Sequence, residues 1–558
     1  MTDLREHLFF ILPNAAAPTE AGTAARAVAD PSATAAAVGS KASGLLRLAQ
    51  LGLPVPPAFV LGTALCREYF AQGGRLPGET RELLAQGLSR LEEATGLGFG
   101  SARRPLLVSV RSGAPVSMPG MLQTVLNVGL CEHTIAGLLR SSGNPRLVRD
   151  CYRRLVRDFT EVVQGADAFR FDALVEHHCM QQSLATSSEL DSAALGQIAG
   201  ESLELALALT GRPFPQDPMD QLLSAVEAVF RSWNDERARH YRRINGIDDA
   251  MGTAVTVQVM VFGNGGGTSG AGVGFTRDPA SGENRLYLDF LFNAQGEDVV
   301  SGRHTGQDSA LLPQRQPHMA TELDRVRATL ETEFRDMQDF EFTVERGRLY
   351  LLQTRAGKRT PWAALRIAVD MVNERLITPA EALARLDGIA LEQLERMHLA
   401  DDASVQALAT AVPASIGVAS GAIVFEAARA AELAARGGPV ILVRPDMSTA
   451  DVEGIAAASG VLTAAGSRTS HAAVVARQLG KVCLVNCRSL EVRPQESVCT
   501  IGTTRLAEGE VITLDADNGR IYAGRPPLVR ERPQAELDQV AAWRKSLSRT
   551  SRADHTPA

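Results

Sequence analysis

The hydrophobic period changes along this chain, and the changes divide it. Between about 131 and 245, apolar residues recur at helical spacing beneath charged faces. From Ala254 the period drops to two: Ala254-Val255-Thr256-Val257-Gln258-Val259-Met260-Val261 alternates as a strand does. Helical spacing returns over roughly 362–400, a polar-to-alanine connector covers 401–411, and a compact alternating β/α unit fills about 412–525. A chain of 558 residues patterned this way folds neither as one bundle nor as one sheet. It reads as an α+β and α/β multidomain protein, with a first domain over 1–360, a helical linker over 361–411, a domain over 412–525 and a charged, partly disordered tail over 526–558. Residues 13–38, rich in Ala, Thr and Pro, read as a flexible insertion. Residues 42–52 read as an amphipathic helix closed by Gly52.

Composition narrows the classes. Hydrophobic residues make up 45% and charged residues 22%, as in ordinary globular proteins. The net charge of −7 provides no basic field for nucleic acid. The apolar run Leu8-Phe9-Phe10-Ile11-Leu12 is too short for a signal core or a membrane span. Seven scattered cysteines suit a reducing cytoplasm, and Cys483 and Cys487 read as core residues flanking a buried strand, not as metal ligands.

The stretch with the most chemistry is Thr469-Ser470-His471-Ala472-Ala473-Val474-Val475-Ala476-Arg477, which follows the turn Gly466-Ser467-Arg468. A histidine there opens a helix, where free backbone N–H groups and the positive dipole end favour an anion. A neutral imidazole in that place can attack a phosphoryl group and keep it. The plain alternative is a histidine that caps or packs a helix start.

Other groups suit a polyphosphate. Lys41 follows Gly39-Ser40, and Arg111 ends a strand before Ser112-Gly113; cations beside glycine-rich backbone share an anionic load. Asp339 and Glu341 alternate on one strand and Gln353 and Arg355 on the next, joined by a turn at Arg346-Gly347. Two carboxylates, an amide and an arginine on paired strands suit Mg²⁺ and a transferring phosphoryl, or equally a surface hairpin with cross-strand ion pairs. Glu297 suits a ribose hydroxyl or a loop cap.

Taken together these stretches resemble pyruvate phosphate dikinases. Gly39-Ser40-Lys41 is similar to the family's Gly-Gly-Lys, and Leu107 to Leu122 to its phosphate loop. Val257 to Asn264, Asn293 to Val300, Asp336 to Thr360, Val440 to Pro445 and Thr469 to Arg477 are similar to further family segments. The resemblance implies an ATP-grasp-like nucleotide domain with a helical insertion and a swivelling β/α phosphohistidine domain. It implies that Lys41, Arg111, Gln258, Glu297, Gln353 and Arg355 hold ATP, that Asp339 and Glu341 hold Mg²⁺, and that His471 accepts the phosphoryl, with Arg355 and Arg111 assisting. In the family the β-phosphoryl of ATP goes to histidine and the γ-phosphoryl leaves on inorganic phosphate. Thr469 matches a position regulated by phosphorylation in some relatives, and reads mainly as a helix-capping hydroxyl. One departure is Ala465-Gly466-Ser467-Arg468, where the family has Arg-Gly-Gly-Met.

The family's C-terminal α/β barrel has no counterpart before Ala558, so the expectation is a chain that carries the ATP half-reaction and needs a separate acceptor protein. A stand-alone small-molecule phosphotransferase and a non-catalytic phosphocarrier are the competing readings. The expected partners are ATP, inorganic phosphate and that acceptor, with no nucleic acid and no membrane; a homodimer is allowed.

Overall fold

The computed structural model describes residues 7–12, 31–116, 118, 122–184, 186–300, 307–400, 405–447, 451–468 and 470–553. The chain divides into two compact units, one of residues 1–265 with 350–354, the other of 266–349 with 355–558. The architecture is mixed α/β and multidomain, with several separate sheets. Among the described residues no helix is long and apolar enough to cross a membrane.

In the first unit five strands run in the order Leu8–Ile11, Ala58–Leu61, Ala254–Val259, Val108–Gly113, Thr124–Val128, antiparallel throughout. The alternating segment at Ala254 is thus a central strand, buried along nearly its whole length. Helices between Glu132 and Ile244 supply the apolar partners, with Phe159, Phe230 and Trp233 all about 1% exposed. The sequence expectation for 13–38 needs correction: within Pro31–Gln50 two helical stretches meet at the non-helical Gly39, so a helix occupies 31–38, and 13–30 lie outside the described residues. Alanine is the best helix former, and Val38 and Ala42 are fully buried, which gives this alanine-rich segment a packed face. Gly52 ends the element with φ 71°, as its position implied.

In the second unit the Gly270–Phe275, Tyr287–Phe292 and Gln338–Glu345 strands pair antiparallel, and Arg348–Ala356 is the outermost strand of the same four-stranded sheet. The turn between the last two strands uses Arg346 (φ 50°) and Gly347 (φ 76°). One face of this sheet is built from glycine against aromatic rings. Phe290, Phe340 and Phe342 lie over Gly270, Gly272 and Gly274, and a Cβ on Gly272 would stand 2.5 Å from Phe342 Cζ. The Phe290 and Phe342 rings stack with centroids 5.8 Å apart. Gly272→Ala is therefore expected to destabilise the protein by about 1–3 kcal/mol through overpacking, read as a lower urea midpoint; an unchanged midpoint would mean that the rings move aside freely.

The C-terminal β/α unit contains four parallel strands, Val418–Val424, Val440–Arg444, Gly460–Thr463 and Val482–Val485, within an eight-stranded sheet. Helices Ala427–Ala435, Val452–Ala457 and His471–Gln478 make the crossovers. Beyond 526 the charged tail contains a strand at Leu528–Glu531 and a helix at Gln534–Ala553, and residues 554–558, within the stretch expected as partly disordered, lie outside the described residues. Leu537, Val540 and Trp543 at helical spacing pack into a core with Leu365 and Val369, which is why the segment orders.

Candidate functional site

The histidine helix starts where a parallel β/α sheet places ligands. His471 follows the carboxyl end of the Gly460–Thr463 strand and is the first residue of its helix. The cap is Ser470, whose hydroxyl accepts from the Ala473 N–H at 3.4 Å. This corrects the expectation that Thr469 caps the helix; Thr469 lies outside the described residues. Two adjacent hydroxyl residues look alike in sequence, and only backbone dihedrals (φ −61°, ψ 158° at Ser470) separate them.

The turn before His471 is fixed from behind by Arg477. This arginine is fully buried. Its Nη2 donates to the Arg468 carbonyl at 2.7 Å and its Nε to the Ala414 carbonyl at 3.2 Å. Burial pulls its pKa below the usual arginine value. A cation held there by carbonyl oxygens braces the loop but is poorly placed to reach solvent.

Asp339 and Arg355 form the main charged pair on the four-stranded sheet. The Nε of Arg355 lies 2.9 and 2.8 Å from the two Asp339 carboxylate oxygens. Asp339 is 3% exposed. Burial pushes its carboxyl up to about 6; Arg355 opposes that push, and Glu341, two residues along the strand, adds to it. Burial alone would lower Arg355, but Asp339 and Glu341 hold it above its usual value. Glu341 is half-buried on the same strand face. The cross-strand pair left open by the sequence is present here between Asp339 and Arg355.

Sequence reasoning passed over Asp289. It shares a sheet face with Glu341, since both register against Val273 on the strand between them. It is 5% exposed. A lone aspartate inside the otherwise apolar Tyr287–Phe292 strand was the available signal. Glu297 sits exposed in the short helix Gly296–Val300.

The remaining candidates belong to the first unit. Ser40 binds Ala114 twice, through its backbone N–H at 2.9 Å and its hydroxyl at 3.0 Å to the same carbonyl. Gly39 has φ 80°, and a Cβ there would lie 1.9 Å from the Gly113 carbonyl oxygen, so only glycine permits this approach. The Gly39-Ser40-Lys41 and Arg111-Ser112-Gly113 segments, found separately in sequence, are thus joined through backbone. Lys41 and Arg111 are both half-buried. Gln258 is 1% exposed with its amide on the Pro56 carbonyl at 3.3 Å, and Gln353 is 4% exposed on the outer strand. All seven cysteines are buried and unbridged; burial pushes Cys483 up to about 12 and raises Cys487, as suits inert core thiols.

Two regions match known protein families. Residues 76–317 match the AMP/ATP-binding domain of pyruvate phosphate dikinase, and residues 437–519 match the mobile domain of PEP-utilising enzymes. A nucleotide-binding module thus precedes a histidine-bearing β/α module in this chain. Over 518 residues the chain is 41% identical to pyruvate, phosphate dikinase of Rhizobium meliloti (strain 1021), covering 91% of this chain and 58% of that protein. It is 41% identical over 509 residues to the Clostridium symbiosum protein of the same name, covering 91% and 58%, and 43% identical over 508 residues to the chloroplastic pyruvate, phosphate dikinase 1 of Zea mays, covering 91% and 54%. The chain belongs to the pyruvate phosphate dikinase family, and it spans somewhat over half the length of these curated relatives. They carry the matched regions within longer single chains, so the expected separate acceptor subunit finds no support among them.

Proposed function

We propose that this chain uses ATP to phosphorylate its own His471. The observation that carries the reading is the placement of His471 as first residue of a capped helix at the carboxyl edge of a parallel sheet, in a region that matches a mobile domain. In the proposed step an imidazole nitrogen forms a bond to the β-phosphorus as the bond from that phosphorus to the AMP oxygen breaks. The imidazole nitrogen that attacks is the unprotonated one, so no proton need leave first. Backbone N–H groups at the helix start, with the positive end of the dipole, face the charge that arrives. The γ-phosphoryl passes to inorganic phosphate as pyrophosphate.

Lys41 and Arg111, set on touching backbone segments, hold the polyphosphate, with Gln258, Glu297 and Gln353 ordering the rest of the nucleotide. Arg355 offsets negative charge that builds on the transferring group. Mg²⁺ suits Asp339 and Glu341. Among the described residues no three His, Cys, Asp or Glu side chains form a cage of their own, and Mg²⁺ is commonly held by one or two carboxylates plus substrate phosphates. When bound it supplies charge neutralisation on the phosphate oxygens. The domain limits that go with this reading are a nucleotide-binding part over 1–360, a linker over 361–411 and a histidine domain over 412–525 that swivels between stations. The relatives' name points to pyruvate as the class of final acceptor.

The test is incubation of the purified chain with Mg²⁺ and ATP labelled at the β-phosphate, with and without inorganic phosphate. Acid-labile label on the chain that depends on phosphate is expected, with AMP and pyrophosphate released. A chain that stays unlabelled under every condition sinks the reading and leaves a nucleotide-binding carrier.

A further inference from the structure

We propose that Arg468 and Tyr287 form a cation–π latch that seats the histidine loop on the carboxylate-bearing sheet, making Arg468 a positioning residue for phosphorylation of His471. The inference deepens the reading above and rests on it. Arg468 lies three residues before His471. Its guanidinium carbon stands 5.2 Å from the centroid of the Tyr287 ring. A second arginine from the same module repeats the contact, with Arg477 5.5 Å from the Phe275 ring centroid. The two rings are neighbours: Phe275 and Tyr287 are directly paired across adjacent strands, centroids 5.9 Å apart and edge to face.

This aromatic corner adjoins the charged pair. Phe275 is also the register partner of Asp339, the aspartate that holds Arg355. The loop ahead of His471 is therefore anchored two strands across from Asp339, with Phe275 between them. The anchor is stiff, because Arg477 binds the Arg468 carbonyl while its own ring contact lies beside that of Arg468. Arg468 Nε is buried with no hydrogen-bond partner among the described residues, which leaves the ring face as its main attraction on that side. Such contacts shift an equilibrium by about 2- to 30-fold. That is strong enough to populate a seated state and weak enough to release it once the phosphoryl has been transferred.

The test uses the full chain with Arg468→Met, Tyr287→Leu, the double variant, and the conservative Arg468→Lys and Tyr287→Phe. Three quantities are read: the single-turnover rate of His471 labelling, the Kd for ATP, and amide hydrogen exchange over 287–292. Arg468→Met and Tyr287→Leu are each expected to slow labelling about 5- to 10-fold, to leave the ATP Kd within about twofold, and to speed exchange in that strand. The double variant should be no slower than either single one, since both remove the same contact. Tyr287→Phe, which keeps the ring, should behave like the unaltered chain, and Arg468→Lys should fall between. Multiplying losses in the double variant, or unchanged exchange in both single variants, would overturn the latch. If the unaltered chain takes no label, the histidine reading fails, and the exchange data alone still decide whether the latch exists.

Discussion

His471→Ala leaves the chain unable to take up phosphoryl label while ATP binding persists. The substitution removes the nitrogen that forms the new bond. Ser470 is adjacent, and its hydroxyl accepts from the Ala473 N–H as the helix cap. Alanine is the best helix former, so the first turn keeps its shape and the loss is chemical. Lys41 and Arg111 lie in the other compact unit, so calorimetric ATP affinity should match that of the unaltered chain. Acid-labile label should drop to background, and AMP formation with it. Label that persists at a normal rate would refute the assignment of His471 as acceptor.

Arg355→Ala is expected to slow labelling by about 10²–10³-fold, the usual cost of removing one preorganised charge from a transferring group. The pair makes a second consequence calculable in sign. Asp339 already titrates near 6 because burial outweighs the help it receives from Arg355. Without that cation its pKa rises further. A carboxyl whose folded pKa stands above its unfolded value favours the folded state most when protonated. That contribution is fully present below the unfolded pKa and is lost as pH rises through the folded one. The variant should therefore lose more stability at pH 8 than at pH 5. The acid limb of its pH–rate profile should also move to higher pH, because Asp339 must be ionised to hold a metal ion. Arg355→Lys restores charge without the planar fork and should recover only part of the rate. A loss under about threefold with an unmoved acid limb would show that Arg355 serves the strand pairing alone.

Several elements could be read from residue order because the physics behind them is local. Alternation at Asp339-Phe340-Glu341 needs only the two-residue repeat of a strand, and the turn at Arg346-Gly347 follows from a glycine between two such runs. Gly52 likewise reports a helix end within a few residues. The helical first turns at 31–38 escaped notice because their composition resembles a linker, and burial against a distant sheet is what orders them. The strand carrying Gly270, Gly272 and Gly274 packs because Phe290, Phe340 and Phe342 fill the space above those glycines. Asp289 gains meaning only through its register with Glu341.

By itself the sequence determined the chemistry on offer: a histidine before a helix, cations beside glycine, paired carboxylates on a strand, and the order of the modules. Each depends on interactions spanning a handful of residues, which the repeat of helix or strand already specifies. The tertiary structure decided which of these groups meet. It put the Gly39 segment against Gly113, gave Asp339 its arginine and its raised pKa, made Ser470 the cap, and set Arg468 over Tyr287. Those outcomes depend on strand register, burial and backbone dihedrals, and these are settled only when the segments pack together.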